Sequence, residues 1–288
     1  MIRRILLAYD GSSSAKGALS IACSIARITR SELFGLFVMN ENRFVRVSLP
    51  RAIAGSLVGE AGGQEPLDPE SMLNEVARAE SESLQWRTTF EAAVKEAGVD
   101  GTFIVERGEP SQVIVDRGRA TDMIIMGKRG RHSGEPNAED GVTVHGIVKN
   151  TTRPVLVVPE DAQGEPIVVL AYDESAAAER ALRAVAEFAF VTSISDVHLV
   201  TVTDDVEEGN RVQARALEYL QSYELNVTRH VSSGKPHEVL RNYCQEVGAS
   251  IVALGAFGKH RFLDQIFGST ADSLLGELSD EVALLLVA

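Results

Sequence analysis

The stretch Ile251–Thr270, IVALGAFGKHRFLDQIFGST, is the part of the sequence that best predicts the fold. Its first four residues are apolar, which is typical of a strand that is covered on both faces of a parallel sheet. A glycine-rich loop follows, and glycine lets main-chain N–H groups approach an anion closely. The hydroxyl residues after the last glycine can cap the next helix and donate to the same anion. The residues of this predicted phosphate-binding loop are Gly255, Gly258, Gly268, Ser269 and Thr270.

A related loop lies in the first half of the chain, at Met123–Thr143, MIIMGKRGRHSGEPNAEDGVT. Ten residues rather than nine separate its second and third glycines, and Val142 stands where a hydroxyl residue is expected. Its glycines and remaining hydroxyl residue are Gly127, Gly130, Gly141 and Thr143. Two related loops favour phosphate binding over the alternative that these glycines only make tight strand-to-helix connections.

Internal repeats indicate that the chain is a duplication. Ile5–Asp10 (ILLAYD) matches Val168–Asp173 (VVLAYD) 163 residues later, whereas Gly108–Pro110 matches Gly234–Pro236 126 residues later. The difference places about 37 extra residues in the first copy, roughly at Glu41–Arg78. We expect this insert to form either a surface loop or a flap over the nucleotide cleft of the first copy.

Each copy alternates strands and amphipathic helices in the order β-α-β-α-β-α-β-α-β, which predicts a parallel sheet with helices on both faces. The fold class is therefore α/β, with two tandem doubly wound open parallel five-stranded sheets in residues 1–160 and 166–288. The last strands, Val155–Val158 and Val282–Val287, would each expose an unpaired edge. We expect them to pair with each other, so that the two copies form an intramolecular pseudo-dimer.

Composition limits the classes of partner. The 288 residues are 44% hydrophobic and 24% charged, which is typical of a globular protein. A formal net charge of −13 opposes binding to nucleic acid or to anionic membrane surfaces. We therefore expect no nucleic-acid partner and no membrane insertion.

Two features of the sequence predict a cytoplasmic protein. Cys23 and Cys244 both lie in amphipathic helical patterns, which favours buried free thiols in a reducing compartment. Met1 leads directly into the strand Ile5–Ala8, which leaves no room for a signal peptide, and no apolar stretch is long enough to span a bilayer.

Several familiar site types lack their signatures. No two glycines are separated by one residue, so the G-x-G-x-x-G dinucleotide fingerprint is missing. Each Gly-Lys pair lacks a following Ser or Thr, which excludes a Walker A loop, and no G-x-S-x-G elbow exists. The six histidines are scattered without metal-ligand spacing. The sequence therefore predicts no catalytic residue and no metal site.

The ordered motifs resemble those of the universal stress protein family, as a tandem pair over essentially the whole chain. They are a first strand ending in Asp, a G-x-P turn after strand three, a D-x-I-x-M-G-x-x-G fourth strand, the G-x2-G-x9-G-S-T loop and a final P-V-L-V-V strand. The resemblance implies a Rossmann-like fold of the adenine-nucleotide alpha-hydrolase type. It also implies dimerisation through the last strands and a bound adenine nucleotide, usually ATP, with Mg as an optional companion. Association of two fused chains into a further homodimer is an additional alternative.

The resemblance also implies roles for individual residues. In copy two Asp173 would meet the ribose or adenine end, and Ala171 and Val202 would flank the base. Leu254 and Gly255 would support the ribose. The glycine-rich loop of copy two would hold the phosphates through Gly258, Gly268, Ser269 and Thr270. The counterparts in copy one are Asp10, Val38, Met126, Gly127, Arg129, Gly130, Gly141 and Thr143. Because the loop of copy one departs from the pattern, we expect copy two to be the better site.

Three functional classes follow from these residues. The preferred one is an ATP-binding regulatory protein of the stress response, read by a protein partner that the sequence does not identify, with at most weak ATPase activity. The second is a slow ATPase or nucleotidyl-transfer enzyme, although neither Asp10-Gly11-Ser12 nor Asp173-Glu174-Ser175 offers the His-x-x-His pair expected of an adenylyltransferase. The third is a ligand-free interaction scaffold.

Overall fold

The structure is a computed structural model that describes residues 2–40, 69–131, 142–162, 165–192, 194–256, 269–278 and 281–288. Most of the predicted insert, residues 41–68, lies outside the described residues. So do three of the predicted site glycines, Gly141, Gly258 and Gly268.

The strands and helices of the described residues alternate as predicted. The first half, called half one, contains β1 (Arg4–Ala8), α1 (Ser13–Thr29), β2 (Glu32–Asn40), α2 (Pro69–Ala97), β3 (Gly101–Gly108), α3 (Pro110–Gly118), β4 (Met123–Gly127), α4 (Val142–Asn150) and β5 (Val155–Val158). The second half, called half two, contains β6 (Glu165–Ala171), α5 (Ala176–Thr192), β7 (Asp196–Val202), α6 (Val206–Gln221), β8 (Asn226–Ser232), α7 (Pro236–Val247), β9 (Ala249–Gly255), α8 (Ser269–Glu277) and β10 (Ala283–Val287).

All ten of these strands form one sheet, in the order β3-β2-β1-β4-β5-β10-β9-β6-β7-β8. Neighbours within each half are parallel, and β5 and β10 pair antiparallel with Leu156 opposite Leu285. The predicted pseudo-dimer along the last strands is therefore confirmed. Pairing satisfies the backbone groups that each last strand would otherwise expose at an edge.

Helices cover both faces of the sheet, as predicted for a doubly wound fold. Side chains of α1, α2, α5 and α6 form one buried cluster, and side chains of α3, α4, α7 and α8 form the other. Within β1, Ile5 and Leu7 belong to the first cluster and Leu6 to the second. This alternation follows from the two-residue period of a strand.

The G-x-P turns after β3 and β8 have a local structural cause. Gly108 and Gly234 adopt φ values of 145° and 124°, a region that favours glycine. Pro110 and Pro236 then occupy the first positions of α3 and α7, where a missing N–H costs nothing. These motifs therefore set the start of a helix in each half.

Within the described ranges, no helix is both long enough and apolar enough to cross a membrane. The cysteines Cys23 and Cys244 are both free and buried, as predicted.

Candidate functional site

Four of the predicted site residues lie beside two switch points of the sheet. In half one, β1 lies between β2 and β4, so the chain places β2 and β3 on one side of β1 and then β4 and β5 on the other side. In half two, β6 lies between β7 and β9 in the same way. Asp10 and Gly127 come together at the first switch point, and Asp173 and Gly255 at the second. Parallel sheets bind ligands at such crevices beyond the carboxyl ends of the strands.

Gly127 and Gly255 are required by packing at these points. A Cβ on Gly127 would lie 2.8 Å from the backbone nitrogen of Ala15 in α1. A Cβ on Gly255 would lie 2.5 Å from the Cβ of Ala177 in α5. The close approach of strand and helix is enough to explain why glycine occupies these two positions. It brings the main chain of β4 and β9 against the first helix of each half.

In half one, the carboxylate of Asp10 is bound by the protein's own donors. Its Oδ1 accepts hydrogen bonds from the backbone N–H (3.1 Å) and the hydroxyl (2.7 Å) of Ser12. Its Oδ2 accepts from the backbone N–H of Arg131 at 2.8 Å. The hydroxyl of Ser14 donates to the carbonyl of Arg129 at 3.1 Å. The loop after β4 is thus fastened to the start of α1.

An indole ring covers the residue that follows Asp10. A Cβ on Gly11 would lie 2.1 Å from Nε1 of Trp86, so the ring lies directly on the main chain of Gly11. Trp86 also packs edge-on against Phe37, with ring centroids 4.6 Å apart. The guanidinium of Arg131 lies 5.2 Å from the centre of the indole. The carboxyl edge of half one is therefore covered at Gly11.

Glu82 completes this cover. It pairs with Arg131 and accepts a hydrogen bond from Nε of Arg78 at 2.9 Å. Burial acts to raise the pKa of Glu82, but hydrogen bonds and charges from Arg78 and Arg131 outweigh it and hold the pKa below the ordinary value. We name this group, comprising Glu82, Trp86 and Arg131, the half-one cover.

The matching edge of half two is built differently. Asp173 is exposed, and its Oδ1 accepts from the backbone N–H of Ser175 at 2.9 Å. Glu174 stands where half one has Gly11, and its φ of 57° is unusual for a residue with a side chain. Arg211 lies 3.2 Å from the carboxylate of Glu174 and 2.7 Å from that of Glu208. This edge carries the exposed carboxylate of Asp173 and the half-buried carboxylate of Glu174 instead of an indole.

The other predicted residues fall into two groups. Ala171, Val202 and Val38 are half-buried at or beside the ends of their strands, whereas the side chains of Leu254 and Met126 are buried among the helices, so only their main chain can face a ligand. Ser269 is exposed and Thr270 half-buried in the first turn of α8. Of the remaining half-one residues, Thr143 is half-buried and Arg129 and Gly130 are exposed.

Sequence reasoning missed the half-one cover and the residue at position 174. One signal was present, because the repeat alignment sets Gly11 against Glu174 and so indicates that the two edges differ. The contact of Trp86 with Gly11 had no sequence signal, since the two residues are far apart in the chain.

A cavity elsewhere in the molecule does not coincide with these edges. It lies between the halves, at the amino ends of β1 and β4 and the carboxyl end of β10. Arg153, Arg180 and Arg183 line it together with Phe188 and Leu285. Among the described residues, no group of three or more His, Cys, Asp or Glu side chains could hold a metal ion.

Comparison with known proteins assigns the family. The model of the universal stress protein family matches the chain twice, at residues 1–159 and 166–284. Universal stress protein Slr1230 of Synechocystis is 23% identical over 194 residues, which cover 66% of this chain and 67% of that protein.

Solved structures agree in fold. A universal stress protein of Archaeoglobus fulgidus superposes with a TM-score of 0.71 at 20% identity, covering 99% of this chain and 97% of that one. A Pseudomonas aeruginosa protein of unknown function superposes with a TM-score of 0.61 at 15% identity, covering 99% and 92%. Since the family model matches both halves and the fold agrees over nearly the whole length, the chain belongs to the universal stress protein family, as a tandem member.

Proposed function

We propose that half two binds an adenine nucleotide, ATP, at the switch point between β6 and β9, and that the protein is a cytoplasmic regulatory protein of the stress response. In this proposal each copy is a domain, residues 1–160 and 166–288, and a protein partner reads the occupancy of half two. The buried free thiols of Cys23 and Cys244 suit a reducing compartment.

The observation that supports the proposal is the order of the elements: Asp173 follows β6, Gly255 ends the parallel neighbour β9, and α8 leads from β9 to the parallel strand β10. The amino end of a helix presents free N–H groups and a partial positive charge, which favour phosphate. Ser269 and Thr270 are the first two residues of α8, so their hydroxyls lie at that end. Gly258 and Gly268 complete the proposed phosphate loop.

The other end of the proposed site suits a ribose and a base. Ala171 and Val202 offer half-buried apolar surface, and Asp173 offers an exposed carboxylate. A carboxylate accepts hydrogen bonds from ribose hydroxyls or from the amino group of adenine, but it repels phosphate. We therefore expect the base and ribose beside β6 and β7, the main chain of Leu254 and Gly255 under the ribose, and the phosphates at α8.

Half one is proposed to bind nucleotide more weakly. Its Asp10 already accepts three hydrogen bonds, and the half-one cover lies on Gly11. The remaining residues of this weaker site would be Val38, Met126, Gly127, Arg129, Gly130, Gly141 and Thr143.

Calorimetric titration with ATP tests the assignment. The variant Ser269→Ala with Thr270→Ala removes two donors to phosphate, and each charge-assisted hydrogen bond lost weakens binding by about 1.5–3 kcal/mol, on the order of tenfold or more. The matched control is Thr143→Ala, the counterpart in half one of Thr270→Ala, which we expect to leave the tight event intact. Thermal melting of each variant checks that the fold is retained.

Two results would contradict the proposal. If the wild-type protein binds no adenine nucleotide, the scaffold alternative is correct. If Thr143→Ala removes the tight event and the α8 variant does not, the working site is in half one. Phosphate release measured in the same samples distinguishes a binding protein from the slow ATPase alternative.

A further inference from the structure

We propose that half one acts as a positioning element for the nucleotide site of half two, through two contacts that hold both ends of α8. The inference rests on the proposed function, because it concerns the helix whose first turn would bind phosphate. Half one thus keeps a role in binding although its own edge is covered.

The first contact holds the carboxyl end of α8. The ammonium group of Lys128, which follows β4 in half one, donates to the carbonyl of Leu278 at 2.7 Å. Lys128 is itself fixed by its backbone N–H, which donates to the carbonyl of Val158 at 2.7 Å. A cation at the last carbonyls of a helix also interacts favourably with the helix dipole.

The second contact holds the amino end of α8. Nε2 of His145, in α4 of half one, lies 2.8 Å from Oδ1 of Asp272 in the first turn of α8. Asp272 comes two residues after Thr270, the proposed phosphate donor. Any displacement of Asp272 therefore moves the donors that must meet the phosphates.

The pairing of His145 with Asp272 follows from the duplication. Thr143 and Thr270 are counterparts in the two copies, and His145 and Asp272 each lie two residues further on, so they are also counterparts. Counterparts that touch must lie beside the pseudo-twofold axis that relates the halves. In a symmetric dimer this position would face its own copy, His on His or Asp on Asp. The fused chain instead places complementary groups there.

Half one supports α8 more than half two supports the corresponding helix α4. Gly127 corresponds to Gly255, so the counterpart of Lys128 is Ala256, which has no side-chain donor for the end of α4. Within half two, α8 has nine residues, of which Ala271 and Leu274 are buried, and an ion pair of 3.0 Å joins its Glu277 to Arg241. A helix this short depends on tertiary contacts for its position.

A charge swap tests the proposal. His145→Asp sets two carboxylates against each other, and we expect the affinity of half two for ATP to fall by about five- to tenfold, within the usual range of coupling between sites. The double variant His145→Asp with Asp272→His restores the pair and should restore the affinity. Lys128→Met should weaken ATP binding a few-fold, whereas Lys149→Met, an exposed lysine on α4, should have no effect.

Titration with adenosine distinguishes a displacement of α8 from general damage to the binding site. It lacks phosphates, so its affinity should stay unchanged in His145→Asp if α8 is the element displaced. Equal losses for ATP and adenosine would overturn the proposal, as would an unchanged ATP affinity in His145→Asp.

A second measurement decides the case in which the wild-type protein binds no ATP, which would reject the proposed function alone. Amide hydrogen exchange across α8 should then be faster in His145→Asp than in the wild type and normal in the swap variant. Unchanged exchange would overturn the positioning role independently of any ligand.

Discussion

The carboxyl edges of the two halves share one strand order but differ in what lies on them. In half one, Gly11 has an indole on its main chain, and Asp10 is occupied by three internal donors. In half two, Glu174 takes the position of Gly11, and Asp173 is exposed. The difference teaches that a duplicated fold can keep its sheet and its helix contacts in both copies while a few described side chains differ at the carboxyl edge of each half. The predictions below test that difference, beginning with the largest expected effect.

The counterparts Gly11 and Glu174 should respond in opposite directions. Gly11→Ala places a Cβ against Trp86 at a φ of 75°, so the combined clash and left-handed strain should lower the free energy of unfolding by about 2–4 kcal/mol. Glu174→Gly relieves the strain at a φ of 57° and loses only an ion pair with the exposed Arg211, so it should stabilise the protein by about 0.5–1 kcal/mol. Denaturant unfolding measures both. An unchanged free energy of unfolding in Gly11→Ala would show that the indole of Trp86 does not lie on Gly11.

Removing the indole should make the two edges more alike. Trp86 is half-buried, so Trp86→Ala should destabilise the protein by about 2–3 kcal/mol, somewhat less than for a fully buried ring. We expect the ATP affinity of half two to be unchanged and a second, weaker binding event to arise from half one. Leu84→Ala is the control, because Leu84 lies on the same helix and is 64% exposed. Loss of the tight event in Trp86→Ala would contradict the independence of the half-two site from the half-one cover.

The smallest effect concerns pH. Arg78 and Arg131 hold the pKa of Glu82 below its ordinary value in the folded protein, so Glu82 stabilises the fold above its unfolded pKa of about 4.3. That contribution is lost as the pH falls through the folded pKa. Glu82→Gln should therefore lower stability at pH 7 by less than about 1 kcal/mol, and the difference from wild type should vanish in strong acid.

Thermal melts between pH 3 and pH 7 measure this difference, on the acid side of neutrality. Glu91→Gln, an exposed position on the same helix, serves as the control. A Glu82→Gln difference that stayed constant over this range would show that the arginines do not act on the charge of Glu82.

Much of the architecture was predictable because it depends on local pattern and repetition. The repeated ILLAYD and VVLAYD strands, the G-x-P turns and the apolar last strands specify element type, element order and the pairing of β5 with β10, whose antiparallel direction the structure supplies. Gly127 and Gly255 were also identified, and the structure gives them a packing cause against Ala15 and Ala177. Whether they also support a ribose stays a prediction.

The sequence by itself determined the α/β class, the duplication and which residues follow the carboxyl ends of strands, since strand and helix periodicity and turn residues act over short distances. Only the tertiary structure decided that Trp86 lies on Gly11, that Arg131 joins Glu82, and that His145 meets Asp272. These contacts join residues that are distant in the chain, and each depends on the angle and register at which a helix packs on the sheet. Small shifts in that packing would break a contact of 3 Å without changing any local pattern, so the tertiary structure decides which side chains meet at each edge.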